Sequence, residues 1–148
     1  MPFVLNLLRR VYWSAYLVWH LPGQARYPFR SAQRITRDRD RRVRRMVRYA
    51  YRWVPYYRET FDRLGLKPHD FRTFDDLRKL PLIAVADLQA DPERFRSRQF
   101  AAQELIALSS SGSTGRPHTV WHNLALLYAN VAHGERETSI HRRIIAKG

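Results

Sequence analysis

From Ser31 to Val54 the chain carries apolar residues at Val43, Met46, Val47, Ala50, Tyr51 and Val54. Intervals of three and four put all six on one side of an α-helix, and a helix with an apolar stripe must bury it against something else. Arginines fill the other side. Pro55 ends the run, because proline has no N–H to give to the helical ladder. One long amphipathic helix therefore organises the first half of the chain, and its neighbours must supply the cover.

Those neighbours read as short helices and loops. Phe3 to His20 predicts a helix, ended by Pro22-Gly23. Residues 24–31 predict an irregular connection. Tyr56 to Leu64 predicts a short helix closed by Gly65. Thr73, with Asp76 three residues on, has the pattern of a helix cap. Leu80-Pro81-Leu82 predicts a break, and Asp87 caps a further short turn before Asp91-Pro92.

The character changes near residue 101. Glu104 to Ser109 suits a short buried strand. A small polar loop, Ser110 to Pro117, leads to a second strand at Thr119-Val120-Trp121. Asn123 then caps an apolar helix on which Leu124, Leu127, Tyr128 and Val131 share a face. Strand, loop, strand and helix in this order open an α/β layer. The expected fold class is α/β, mostly α over this length. A helical portion spans residues 1–100, and residues 101–148 begin an α/β domain that is cut short. Two strands alone do not make an independently stable sheet.

Composition narrows the function classes. The chain has 27 Lys and Arg against 13 Asp and Glu, for a net charge of +14. Eleven arginines fall between Arg26 and Arg52, with only Asp38 and Asp40 against them. Such a stretch suits nucleic acid, an anionic membrane or a phosphate-rich substrate, or is simply a solvated helix face. Cysteine is absent, which excludes disulfides and thiolate metal sites. The uninterrupted apolar run from Val11 to Leu21 is short of the roughly 20 residues a spanning helix needs. Arg9 and Arg10 precede it, but Trp19-His20-Leu21-Pro22 is a poor signal-peptide cleavage site. Two readings stand for this helix. It lies in a membrane interface, with Tyr12, Trp13, Tyr16 and Trp19 at the headgroup boundary, or it packs on the rest of a larger protein.

The stretch richest in chemistry is Ser109-Ser110-Ser111-Gly112-Ser113-Thr114-Gly115-Arg116-Pro117. Gly112 and Gly115 let the backbone bend and approach a ligand without a side-chain clash. Successive backbone N–H groups can then point at one anion. Ser110, Ser111, Ser113 and Thr114 add hydroxyls, and Arg116 adds a fixed cationic fork for phosphate oxygens. This is not the Walker A loop, which places Lys-Ser or Lys-Thr after its second glycine and starts a helix there. Composition alone also suits a flexible Ser/Gly linker. The position between two short strand-like runs argues against a linker.

This loop resembles the core motif of the adenylate-forming superfamily, in which a Ser/Thr/Gly loop ending in Gly-x-Pro grips the phosphates of ATP. Upstream, Trp53-Val54-Pro55-Tyr56-Tyr57-Arg58-Glu59 resembles an element of the phenylacetate–CoA ligase and CapK-like capsule-biosynthesis branch. Phe74-Asp75-Asp76-Leu77, Lys79-Leu80-Pro81 and Asp87-Leu88 follow in the order and spacing of that branch. The resemblance covers about Val47 to Asn130. It implies an AMP-binding domain that uses ATP with magnesium, a carboxylic-acid substrate, coenzyme A as acyl acceptor, and a cytoplasmic setting. It also implies that Ser110, Ser111, Gly112, Ser113, Thr114, Gly115 and Arg116 contact the nucleotide phosphates, and it assigns no catalytic residue. The family's remaining nucleotide-site segments lie beyond this motif, so a fragment without activity of its own is expected. Two positions depart from the branch: His118 follows Pro117, and Ala86 precedes Asp87.

Other constellations are weaker. His118 and His122 flank a strand and would stand ~13 Å apart at 3.3 Å per residue, so no metal site is expected. The rings of Tyr49, Tyr51, Trp53, Tyr56 and Tyr57 beside Arg48, Arg52 and Arg58 could stack nucleic-acid bases. They fall on the apolar stripe and beside a helix stop, which favours core packing, so nucleic acid ranks low among expected partners. The alternative to the ligase reading is a basic module for nucleic acid or an anionic membrane. It would use Arg26 to Arg52 and the aromatic N-terminal helix.

Overall fold

The structure is a computed structural model that describes residues 2–109 and 119–146. It is mostly helical with one two-stranded antiparallel sheet, in keeping with the α/β expectation. The helices are α1 (Pro2–Arg26), α2 (Ala32–Trp53), α3 (Pro55–Arg63), α4 (Val85–Ala90), α5 (Pro92–Phe95) and α6 (Leu124–Ile145). Short 3₁₀ turns lie at Tyr27–Phe29, Pro68–Asp70, Phe74–Lys79 and Ala102–Glu104. The strands are β1 (Ile106–Ser109) and β2 (Thr119–His122). The chain groups into two compact units, one of residues 33–123 and one of residues 1–32 with 124–148.

In the first unit, α2 buries the expected stripe. Val43 and Val47 meet Phe61 of α3 and Phe71, and these four side chains form the core. Phe61 and Phe71 are the largest fully buried side chains, their rings 5.0 Å apart. Each is worth about 1.5–3 kcal/mol in burial alone. Tyr51, Tyr57, Leu66, Leu77 and Leu80 pack around them. Met46 lies at the margin of the stripe and is more than half exposed.

Helix α3 ends as its sequence demands. Leu66 N–H donates to Phe61 O at 2.9 Å and Gly65 N–H to Asp62 O at 3.2 Å. This is the Schellman arrangement, and it needs a left-handed residue at its hinge. Gly65 supplies that with φ of 65°. Asp87 differs from its expected place: it lies within α4 rather than before it. From there its carboxylate accepts the Ala84 N–H at 3.1 Å.

In the second unit, α1 packs on α6. Trp13 stacks flat on Tyr128, with centroids 4.6 Å apart and planes 4° apart. Ala132 is the buried residue of α6, whereas Val131, expected on the packed face, is exposed. Helix α1 does not stop at Pro22-Gly23 but continues to Arg26. Proline removes one N–H from the ladder, and tertiary contacts hold the extension. Arg136 of α6 donates to Gln24 Oε1 at 2.6 Å, and its guanidinium lies 4.1 Å from the Tyr27 ring. The four rings expected at a headgroup boundary divide between two faces. Trp13 is packed, while Tyr12 and Trp19 are exposed. No described helix is long and apolar enough to cross a membrane.

Candidate functional site

The two strands form a hairpin with the register Ile106↔His122, Ala107↔Trp121, Leu108↔Val120 and Ser109↔Thr119. Directly opposed residues share a face and hold their Cβ atoms about 4.5–5.5 Å apart. The last pair therefore brings Ser109 and Thr119 together, and their hydroxyls stand 3.3 Å apart. Everything between them is the glycine- and hydroxyl-rich loop. Ser110, Ser111, Gly112, Ser113, Thr114, Gly115 and Arg116 lie outside the described residues, as do Pro117 and His118. The strand pairing thus fixes Ser109 and Thr119, which flank this stretch, on neighbouring strands.

The hairpin differs from expectation in one respect. β1 was expected to be buried, but all four of its residues are exposed. Each strand has one neighbour, so Ile106, Leu108 and Val120 of the apolar face have no second layer over them among the described residues. On the same face, the Nδ1 of His122 is buried without a hydrogen-bond partner among the described residues. Buried ring nitrogens normally have one.

The element around Pro55 serves packing and helix ends, residue by residue. Val54 is buried, and Pro55 opens α3, where its missing N–H costs nothing. Tyr57 packs on the core, and burial, with Tyr56 beside it, pushes its hydroxyl pKa up. Arg58 reaches back to the end of α2, donating to Tyr51 O at 3.4 Å and Arg52 O at 3.3 Å, which satisfies carbonyls the helix leaves open. Glu59 pairs with Arg94 of α5, whose Nε donates to it at 3.0 Å. The Glu59 hydrogen bond raises the Arg94 pKa further. Tyr56 stacks on Phe95 at 4.4 Å, with Arg94 lying 5.6 Å from its ring. Tyr56, Glu59, Thr60, Arg63, Pro81, Asp87 and Arg94 line a cleft of about 390 Å³. Sequence reading missed the Glu59–Arg94 pair, since nothing local links residues 35 apart. The ring cluster near the α2–α3 junction is largely packing, as expected: Tyr51 and Tyr57 cover the core, and Tyr49 bonds Ser97 at 2.6 Å.

By sequence, the stretch between the two strands carries four hydroxyls, two glycines and one guanidinium, residue types able to hydrogen-bond an anion. Among the described residues no three His, Asp or Glu side chains converge as metal ligands.

No family model matches the chain. Individual relatives do. The phenylacetate-coenzyme A ligase of Escherichia coli (strain K12) is 33% identical over 110 residues, covering 68% of this chain and 25% of that ligase. That of Aromatoleum evansii is 38% identical over 86 residues, covering 56% of this chain and 19% of the relative. That of Thermus thermophilus is 35% identical over 82 residues, covering 55% and 18%. The matched part of this chain thus spans a quarter or less of the relatives' length. Four such ligases, 30–38% identical over 55–68% of the chain, support the phenylacetate-coenzyme A ligase family for it.

Proposed function

We propose that this chain carries the ATP-phosphate loop of an adenylate-forming ligase of the phenylacetate–CoA ligase and CapK-like group. The observation that carries the reading is the hairpin, which anchors Ser109 and Thr119 side by side at the two ends of the loop. The named relatives add support from outside the loop. In this reading Ser110, Ser111, Gly112, Ser113, Thr114, Gly115 and Arg116 hold the β- and γ-phosphates of ATP. A carboxylate attacks the α-phosphorus, pyrophosphate leaves, and coenzyme A then displaces AMP to give a thioester. The loop contributes electrostatically, placing donors where the leaving pyrophosphate gathers charge. A helical portion of residues 1–100, an α/β AMP-binding portion from residue 101 and a cytoplasmic setting belong to the same reading. Because the relatives are four or more times longer than the matched part, the chain by itself is a fragment without turnover.

Calorimetric titration of the 148-residue chain with ATP and with adenosine tests this. Arg116→Ala should weaken ATP at least tenfold, since a charge-assisted hydrogen bond is worth about 1.5–3 kcal/mol. Gly112→Val with Gly115→Val should abolish the preference for ATP over adenosine. Equal ATP binding by all three proteins would sink the phosphate-loop reading. Pyrophosphate release by the chain alone, given phenylacetate and ATP, would overturn the claim of no turnover.

A further inference from the structure

Helix α2 presents a surface that the ligase reading leaves unused. Arg34, Arg37, Arg41, Arg45, Arg48 and Arg52 follow one another at intervals of three or four. Residues so spaced line one side of a helix. That side faces away from the buried Val43 and Val47, and all six arginines are exposed. The row is about 27 Å long at 1.5 Å per residue, with a cation every ~5 Å. Successive cations are therefore closer than the Debye length of about 8 Å at physiological salt, so they act on an anion jointly. Opposition on α2 itself is small. Asp38 pairs with Arg41 at 3.8 Å, while Asp40 is engaged by Arg39, off the row, at 3.1 Å.

We infer that this arginine row is a docking surface for a nucleic-acid backbone, its guanidiniums meeting successive phosphates. A lipid bilayer fits it less well. Interfacial helices insert an apolar face beside their charges, and the apolar face of α2 is spent on the protein core. A straight row of cationic forks instead matches a line of phosphates. Phosphate contacts carry no base information, so binding is indifferent to sequence. The surface is built from α2 alone and does not depend on what the Ser110 to Pro117 stretch does.

The test is fluorescence anisotropy of a labelled DNA duplex with the 148-residue chain, titrated across salt. Six phosphate contacts predict a slope of log K on log salt near −5, a loss on the order of 10³-fold between 50 and 200 mM. Arg37→Ala/Arg41→Ala/Arg45→Ala should flatten that slope by about three, and Arg45→Gln alone by about one. Arg63→Ala/Arg78→Ala/Arg98→Ala removes the same charge from exposed positions elsewhere and should flatten it by less than about one. Deleting Ser110 to Pro117 should leave the affinity unchanged. The inference is overturned if the second triple variant matches the first, if neither Arg45→Gln nor the row triple changes the slope, or if no duplex binding occurs at 50 mM. Binding to phosphatidylserine vesicles without binding to duplex also overturns it, in favour of a membrane.

Discussion

Asp76 shows how much one carboxylate can organise. It accepts hydrogen bonds from the backbone of Arg72 at 2.9 Å and Thr73 at 2.8 Å, from the Thr73 hydroxyl at 3.0 Å, and from Lys79 Nζ at 2.8 Å. The Lys79 bond first, then the Thr73 and Arg72 bonds, hold its carboxyl well below the usual carboxylate range. A group depressed in the folded state binds its proton more weakly there than in the unfolded chain. Its stabilisation is complete above the ordinary aspartate value and is lost as pH falls through and below about 4. Urea unfolding midpoints measured from neutral to acid pH should therefore drop below about pH 4. Asp76→Asn should lower the neutral midpoint and reduce that drop. An unchanged acid profile in the variant would assign the acid sensitivity to other carboxylates. The effect is modest, because the group is solvent-screened.

The short turns between α3 and β1 share one device. Asp70 accepts the Lys67 N–H at 2.8 Å, Asp76 that of Thr73, Asp87 that of Ala84 at 3.1 Å, and Glu104 that of Ala101 at 2.8 Å. Each acid stands three residues after the N–H it satisfies, where it also opposes the positive end of a helical turn. Only Thr73 with Asp76 was legible from sequence, because only there does a Ser/Thr-type cap residue flag the start. The end of α3 was legible through Gly65. An added Cβ there meets nothing within 4 Å, so a substitution acts through the backbone alone. Gly65→Ala should cost about 1 kcal/mol in urea denaturation, with Gly65→Asn closer to wild type. An alanine variant as stable as wild type would mean that α3 ends without the left-handed hinge.

The two units differ in how much they bury. Residues 33–123 own a continuous core of Val43, Val47, Phe61 and Phe71, whereas α1 and α6 bury only Ala132 among the described residues. Local opening is cheapest where few apolar contacts must break. Hydrogen–deuterium exchange should find the slowest amides in α2 and α3 and faster exchange in α1 and α6. Equal protection would show that the Trp13–Tyr128 stack and the Arg136–Gln24 bond hold their unit as firmly as the core holds the other.

Residue order alone was enough for α2, α3 and the hairpin strands, because their signals are local. A 3.6-residue stripe, a helix-stopping proline, a helix-closing glycine and β-prone runs each act within a few positions. The ligase resemblance was legible for the same reason, as a set of short ordered motifs. Contacts between distant segments decided the rest. Helix α1 runs past Pro22 because Arg136 and Tyr27 hold its last turn. Glu59 is committed to Arg94, and Arg58 caps the helix before it, through pairings no local pattern announces. β1 is exposed although its sequence is apolar, since burial needs a second layer and the described residues supply none. A side chain's type states what it would bury or bind, but only a partner brought close in space determines whether it does.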